Sequence, residues 1–267
     1  MFKQHVMRCA LALAAVLIFS AVLGAQAPQP SGQPQGGAGA KANKPATPPP
    51  GPAPVRDISG VWNASRGIGN SWTKEDAPLT PWGVAKFKES KSSNGGPYKL
   101  DQTNDPVITK CLPPGVPRIY MQPFPFQIVQ TPKETLFVYE YDHTVRHIRT
   151  DGRQHKDPDP SYMGESIGHW EDDTTFVVDS VGFNEGTWLD RAGHPHSDQL
   201  HVVERFHRVD SDNMEIAITM EDSKALTKPW SQTIYYRLRP TWEIEEQDCA
   251  ENSDFVNFEN GEQGAAK

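Results

Sequence analysis

Acidic residues are missing from the first 55 positions, which hold 9 of the 24 prolines. A stretch with so little to bury is not domain material. Clustered Lys and Arg are missing throughout. With Met1–Val55 set aside, 22 Lys and Arg face 34 Asp and Glu, a net charge near −12, and this excludes a nucleic-acid partner, whose phosphates need grouped cations. The longest apolar run, Cys9–Leu23, has 15 residues and falls short of the roughly 20 needed to span a bilayer as a helix. Gly-rich phosphate loops, heptads and alignable internal repeats are absent too. Cysteine is scarce, at three residues.

What the N-terminus does contain reads as an address. Lys3 and Arg8 precede the apolar run, which leads into Gly24-Ala25-Gln26-Ala27, the pattern of a secretory signal peptide over residues 1–27. The alternative is a membrane anchor, and the length of the run disfavours it. Cys9 begins the run instead of ending it, so it is not placed as an acylated lipoprotein cysteine. Residues 28–55 read as a disordered Pro/Gly-rich linker, 56–252 as one domain and 253–267 as a flexible acidic tail. Export makes a disulfide between the two remaining cysteines, Cys111 and Cys249, the natural expectation, with a catalytic thiol as the sharper alternative.

The domain carries all seven tryptophans, enough for a sizeable core. A strand is expected at about 58–65. Thr80-Pro81 before Trp82–Glu89 supplies an N-cap and a proline at the first helical position, predicting one short helix. From Cys111 onward, short β-prone runs alternate with turn residues: 126–130, 135–141, 143–150, 165–171, 174–181, 200–209, 214–221, 231–239 and 242–247. The expected fold is all-β, an antiparallel meander closing into a barrel or a strongly curved sheet, since closure removes exposed edges. Asp151–Gly164 and Gly182–Gln199 are too long for hairpin loops, which marks them as functional or disordered.

Period-two alternation places Glu204 on the face of Leu200, Val202 and Phe206. A carboxylate there is either tuned for chemistry or paired with an interior arginine such as Arg146 or Arg149. Glu140 and Asp179 also sit among apolar strand residues, and convergent acids of unequal pKa can serve as general acid and base. The Gly182–Gln199 segment gathers Asn184, Trp188, Asp190, His194, His196 and Asp198 ahead of His201. His194-Pro-His196 has the spacing of an imidazole metal pair, but Leu200 stands where a cupin-like site wants Glu; the other readings are a lone His196 as general base or hydrogen-bond donor, and a structural, exposed role. His143, His147 and His155 are further imidazoles, best read as surface groups. Gly164-Glu-Ser166-Ile-Gly168 spells a nucleophile elbow without the strand-then-helix that the elbow needs.

Two resemblances follow from these residues. Gly60-Val-Trp62 near the start of a β-rich chain resembles the Gly-x-Trp signature of lipocalin-like (calycin) barrels. CLPPGVPR (Cys111–Arg118), Gly168–Thr174, Gly182-Phe-Asn184 with Trp188-Leu-Asp190, and Pro195-His-Ser197 with Leu200–Phe206 resemble a family of exported bacterial β-rich proteins. The likeness runs from about 57 to 252; it implies export and an intact domain, and carries over no catalytic residues. The expectation is therefore an exported barrel that acts on a small aromatic or hydroxylated molecule by acid-base chemistry. Glu204 and His196 would be the proton-transfer pair, Arg146 the anion partner and Asp190 the group that orients His196. Trp188, Asn184, Glu140, His201 and Asp179 would bind the ligand, with no cofactor. A non-catalytic carrier, or a tethered envelope protein, is the alternative.

Overall fold

A computed structural model describes residues 48–93 and 102–249. The expected signal peptide, most of the expected linker and the expected acidic tail lie outside the described residues. Nine strands form a closed barrel: β1 (Gly60–Ala64), β2 (Phe126–Gln130), β3 (Glu134–Tyr139), β4 (Val145–Arg149), β5 (Glu165–Trp170), β6 (Thr175–Val181), β7 (His201–Arg208), β8 (Asn213–Glu221) and β9 (Trp230–Leu238). Each pairs with its neighbours in chain order, and β9 returns to β1 through Trp62↔Leu238 and Ala64↔Tyr236.

All the pairings are antiparallel except β4 with β5, which run parallel and meet only at Ile148↔Ser166 and Arg149↔Ile167. The pure meander is corrected at this point. Parallel neighbours need a crossover of a dozen or more residues, and the long Asp151–Gly164 segment is that crossover. A second correction concerns 242–247, which forms no strand and contributes only the bridge Tyr141↔Gln247. With β9 already bonded to β1, the barrel offers no free edge for a tenth strand.

The predicted helix is present as α1 (Pro81–Glu89), with the Thr80 hydroxyl accepting the Gly83 amide at 3.1 Å. Thr80 also donates to the carbonyls of Ala225 (N–H, 2.9 Å) and Lys224 (O–H, 2.6 Å), docking the helix on the turn after β8. A four-residue turn, α2 (Pro106–Thr109), repeats the cap-then-proline device with Asp105. Cys111 and Cys249 are joined by a disulfide, with their Cα atoms 5.7 Å apart.

The barrel interior is filled. Phe126, Phe137, Phe176, Phe206 and Tyr236 point inward and pack ring on ring, for example Phe137 edge-on to Phe206 at 5.1 Å. A 3-10 turn, Arg118–Met121, inserts Tyr120 among them, and Tyr236 donates to the Tyr120 carbonyl at 3.2 Å. Each such ring contributes about 2–3 kcal/mol by leaving water.

Candidate functional site

Two polar centres emerge, one sealed in the barrel and one open outside its wall. Arg146 of β4 and Glu204 of β7 are fully buried and form a bidentate pair, one arm at 2.9 Å and the other shorter. Arg146 also donates to Ser166 (3.0 Å) and Ser180 (2.8 Å), and the Tyr120 hydroxyl donates to Glu204 at 2.6 Å. Burial works against the Arg146 charge but Glu204 overrides it, so the guanidinium stays protonated. Burial, reinforced by Glu204, pushes the Tyr120 phenol well above its ordinary value and keeps it a donor. Every polar atom of the Glu204 carboxylate is thus engaged, and the structural alternative of an interior Arg pair describes this centre. Ser166 is a partner of Arg146 inside the wall, not a nucleophile at a strand-to-helix turn.

The open site lies outside the barrel wall, where α1 faces the Gly182–Gln199 segment across a cavity of about 260 Å³. Trp82, Lys86, Glu89 and Ser90 contribute from α1, Asn104 and Pro106 from the start of α2, and Glu185, Thr187, Trp188, Pro195 and His196 from the segment. That segment is ordered by its own polar groups. Asp190 Oδ1 accepts the amides of Ala192, Gly193 and His194 at 3.0–3.2 Å. Asp222 accepts both the amide (2.6 Å) and the hydroxyl (2.8 Å) of Ser197. The Trp72 indole donates to the Leu189 carbonyl at 2.7 Å.

His196 is 4% exposed and lines this cavity. Its Nδ1 lies 3.1 Å from the Ser197 carbonyl, which can only accept, so Nδ1 carries the proton and Nε2 keeps its lone pair. Nε2 is 3.5 Å from the Thr187 hydroxyl, the limit of hydrogen-bond reach. Burial pushes the imidazole pKa down, partly opposed by the Ser197 carbonyl, Asp222 and Glu185. A neutral acceptor at neutral pH follows. The charges around it are paired off: Lys86 with Glu89 at 3.2 Å, and Glu185 with Lys224 at 3.1 Å.

Comparison with protein-family models, with curated proteins and with solved structures gave no match. The geometry is therefore the ground for any functional reading.

Of the residues singled out in the sequence, His196 and Trp188 share the cavity. Glu204 and Arg146 do not reach it, so the Glu204/His196 proton-transfer pair is not assembled. Asp190 holds the other histidine: its Oδ2 meets His194 Nδ1 at 2.6 Å, and His194 stacks on Phe87 at 4.3 Å. Among the described residues, no group of three or more His, Cys, Asp or Glu is arranged to hold a metal ion. Asn184 shapes the turn ahead of Thr187, its side chain accepting the Gly186 amide at 2.9 Å.

Glu140 and Asp179 face outward, which corrects the expectation of interior carboxylates. In β3 the aromatic pair Phe137 and Tyr139 takes the interior and leaves the Leu136, Val138 and Glu140 face outside; in β6, Phe176, Val178 and Ser180 do the same to Asp179. Glu140 accepts the Glu245 amide at 3.2 Å, and His201 bonds Asp179 on the outer wall at 2.9 Å. The sequence reading missed Trp82, Lys86, Glu89 and Asn104. The first three lie at i, i+4 and i+7, one face of a helix, and that spacing was the available signal.

Proposed function

We propose that the cavity between α1 and the Gly182–Gln199 segment binds an uncharged small molecule that carries a ring and at least one hydroxyl. The observation that carries this reading is the buried, neutral His196 in a wall that also holds Trp82 and Trp188. Indole faces suit flat or sugar-like rings, and a few placed polar groups fix orientation. The ion pairs along the wall offer no unbalanced charge to an ionic ligand. A volume of about 260 Å³ accommodates one ring with substituents. On this reading the chain is an exported carrier, led out by residues 1–27 and spaced from its surroundings by residues 28–55. The Gly60-Val-Trp62 likeness to calycin barrels is in keeping with that role, although the occupied interior moves the ligand from the barrel axis to the outside of the wall.

The test is titration with catechol, resorcinol and glucose, followed by tryptophan fluorescence and calorimetry. Saturable binding of at least one probe, lost in Trp188→Ala and weakened about tenfold in His196→Ala, is the expected result, a loss of about 1.4 kcal/mol for one buried hydrogen bond. Binding that survives both substitutions would sink the assignment.

A second reading, acid-base catalysis, is favoured by the Nε2 lone pair beside the Thr187 hydroxyl. His196 would then be the general base, acting without Glu204. Turnover would stay flat from alkaline pH down to below the ordinary imidazole range, because the free base persists there. Mass-spectrometric change in a bound probe, absent in His196→Ala, separates enzyme from carrier.

A further inference from the structure

The outer wall carries a chain of alternating acids and imidazoles that the pocket does not use. Glu165 of β5 meets His155 Nδ1 at 2.7 Å, and His155 Nε2 meets Asp179 of β6 at 3.1 Å. The other oxygen of Asp179 meets His201 Nε2 of β7 at 2.9 Å, and His201 Nδ1 meets Glu221 of β8 at 3.2 Å. Four strands are thereby stitched to one residue of the crossover, His155.

Each imidazole faces a carboxylate at both nitrogens. Carboxylates only accept, so both nitrogens are satisfied only in the imidazolium form. On deprotonation each ring keeps one donor and turns a lone pair toward a carboxylate oxygen, and one attractive contact per ring becomes repulsive. Three acids then remain among neutral groups. Arg153, which Asp151 holds, also feels Glu165, and Lys156 adjoins His155 in the chain.

We propose that His155 and His201, strung between Glu165, Asp179 and Glu221, form a pH-sensitive latch that holds the middle of the 151–164 crossover against the barrel wall. The crossover is fixed at its far end by Ser161, whose amide donates to the Gly182 carbonyl and whose carbonyl accepts the Asn184 amide, both at 3.0 Å. At its near end the Thr150 amide donates to the Lys133 carbonyl at 3.0 Å. His155 ties the stretch between these points. Burial works against a proton on His201, but Asp179 and Glu221 outweigh it and raise its pKa. A histidine raised on folding contributes its full stabilisation below the free-imidazole value and loses it as pH rises through the folded value. The His201 arm of the latch is accordingly closed in mild acid and open in mild alkali, and with it goes its hold on Asp179, the carboxylate it shares with His155. Since the Gly182–Thr187 stretch rests on Ser161, opening would also loosen one pocket wall; that consequence, unlike the latch, depends on the pocket reading.

Arg153 and Lys156 are exposed beside His155 and make trypsin the probe. Cleavage of the full chain after these two residues is measured at about pH 5.5 and about pH 8.5, either side of the imidazole range, and normalised at each pH to a free peptide of residues 151–164. The normalised rate should rise about fivefold at the higher pH, the size expected from losing half-exposed charge pairs, with cleavage elsewhere in the barrel unchanged. His155→Gln and Asp179→Asn should be cut at the fast rate at both values. Equal normalised rates in the wild-type chain, or a His155→Gln chain that keeps the pH step, would overturn the latch.

Discussion

At the scale of single residues, the Arg146–Glu204 pair decides whether the polar interior serves chemistry or stability. With Tyr120, Ser166 and Ser180 completing its hydrogen bonds and both side chains fully buried, the pair belongs to the core. Removing one partner of such a pair leaves a buried charge uncompensated, a loss of about 3–5 kcal/mol. Glu204→Gln should therefore destabilise the protein by about 3 kcal/mol in urea denaturation, while ligand affinity, measured where the variant is still folded, stays near wild type. The double variant Arg146→Met/Glu204→Leu removes both charges and should recover most of that loss, since apolar replacements of buried pairs are often neutral or better. If Glu204→Gln instead abolished binding with stability intact, the core assignment would be wrong and Glu204 would have to reach the ligand.

At the scale of elements, the Gly182–Gln199 segment depends on one carboxylate. Asp190 satisfies three successive backbone amides and the His194 ring, and it is fully buried. Asp190→Ala leaves those donors without partners, at about 1–3 kcal/mol for each that stays buried; Asp190→Asn keeps some of the amide contacts and should lose less. Hydrogen exchange is the direct readout: protection of Ala192, Gly193 and His194 should fall in Asp190→Ala while that of β7 and β8 holds. The elements differ in how legible they are in the sequence. Alternation placed Glu204 inward with Arg146 as a named partner, because Leu200, Val202 and Phe206 leave no ambiguity about the apolar face. It misplaced Asp179, since Val177 and Val181 make the outer face of β6 as apolar as the inner one. Helix α1 was legible from its cap and proline, whereas its role in the cavity depends on packing against a segment a hundred residues away. Tyr120 was invisible because a 3-10 turn among prolines has no periodicity to read. Parallel pairing of β4 and β5 could be inferred only from the length of the crossover, a signal that also fits an ordinary long loop.

At the scale of the whole molecule, the barrel closes through β1 and β9, yet the chain beyond β9 is held by separate means. Residues 240–249 run back past Glu140, Gln247 pairs beside Tyr141, and Cys249 ends next to α2, its sulfur 3.8 Å from the Val107 carbonyl and bonded to Cys111. The disulfide spans 138 positions and encloses β2 through β9. On the chain-entropy account a loop of that size contributes up to ~5 kcal/mol by restricting the unfolded chain. Full reduction should then lower Tm by roughly 10 °C for a domain of this size, even though every strand pairing survives in the folded state. The site should feel the change as well, because Pro106 and Asn104 line the cavity from the start of the turn that Cys111 and Cys249 brace. A Cys111→Ser/Cys249→Ser chain is therefore expected to fold as a barrel, melt earlier, and bind its ligand more weakly than the oxidised protein. Equal melting of the oxidised and fully reduced chains, with Cys111 and Cys249 both shown free in the latter, would show that the closed barrel alone sets stability and that the bridge only fastens the C-terminal segment.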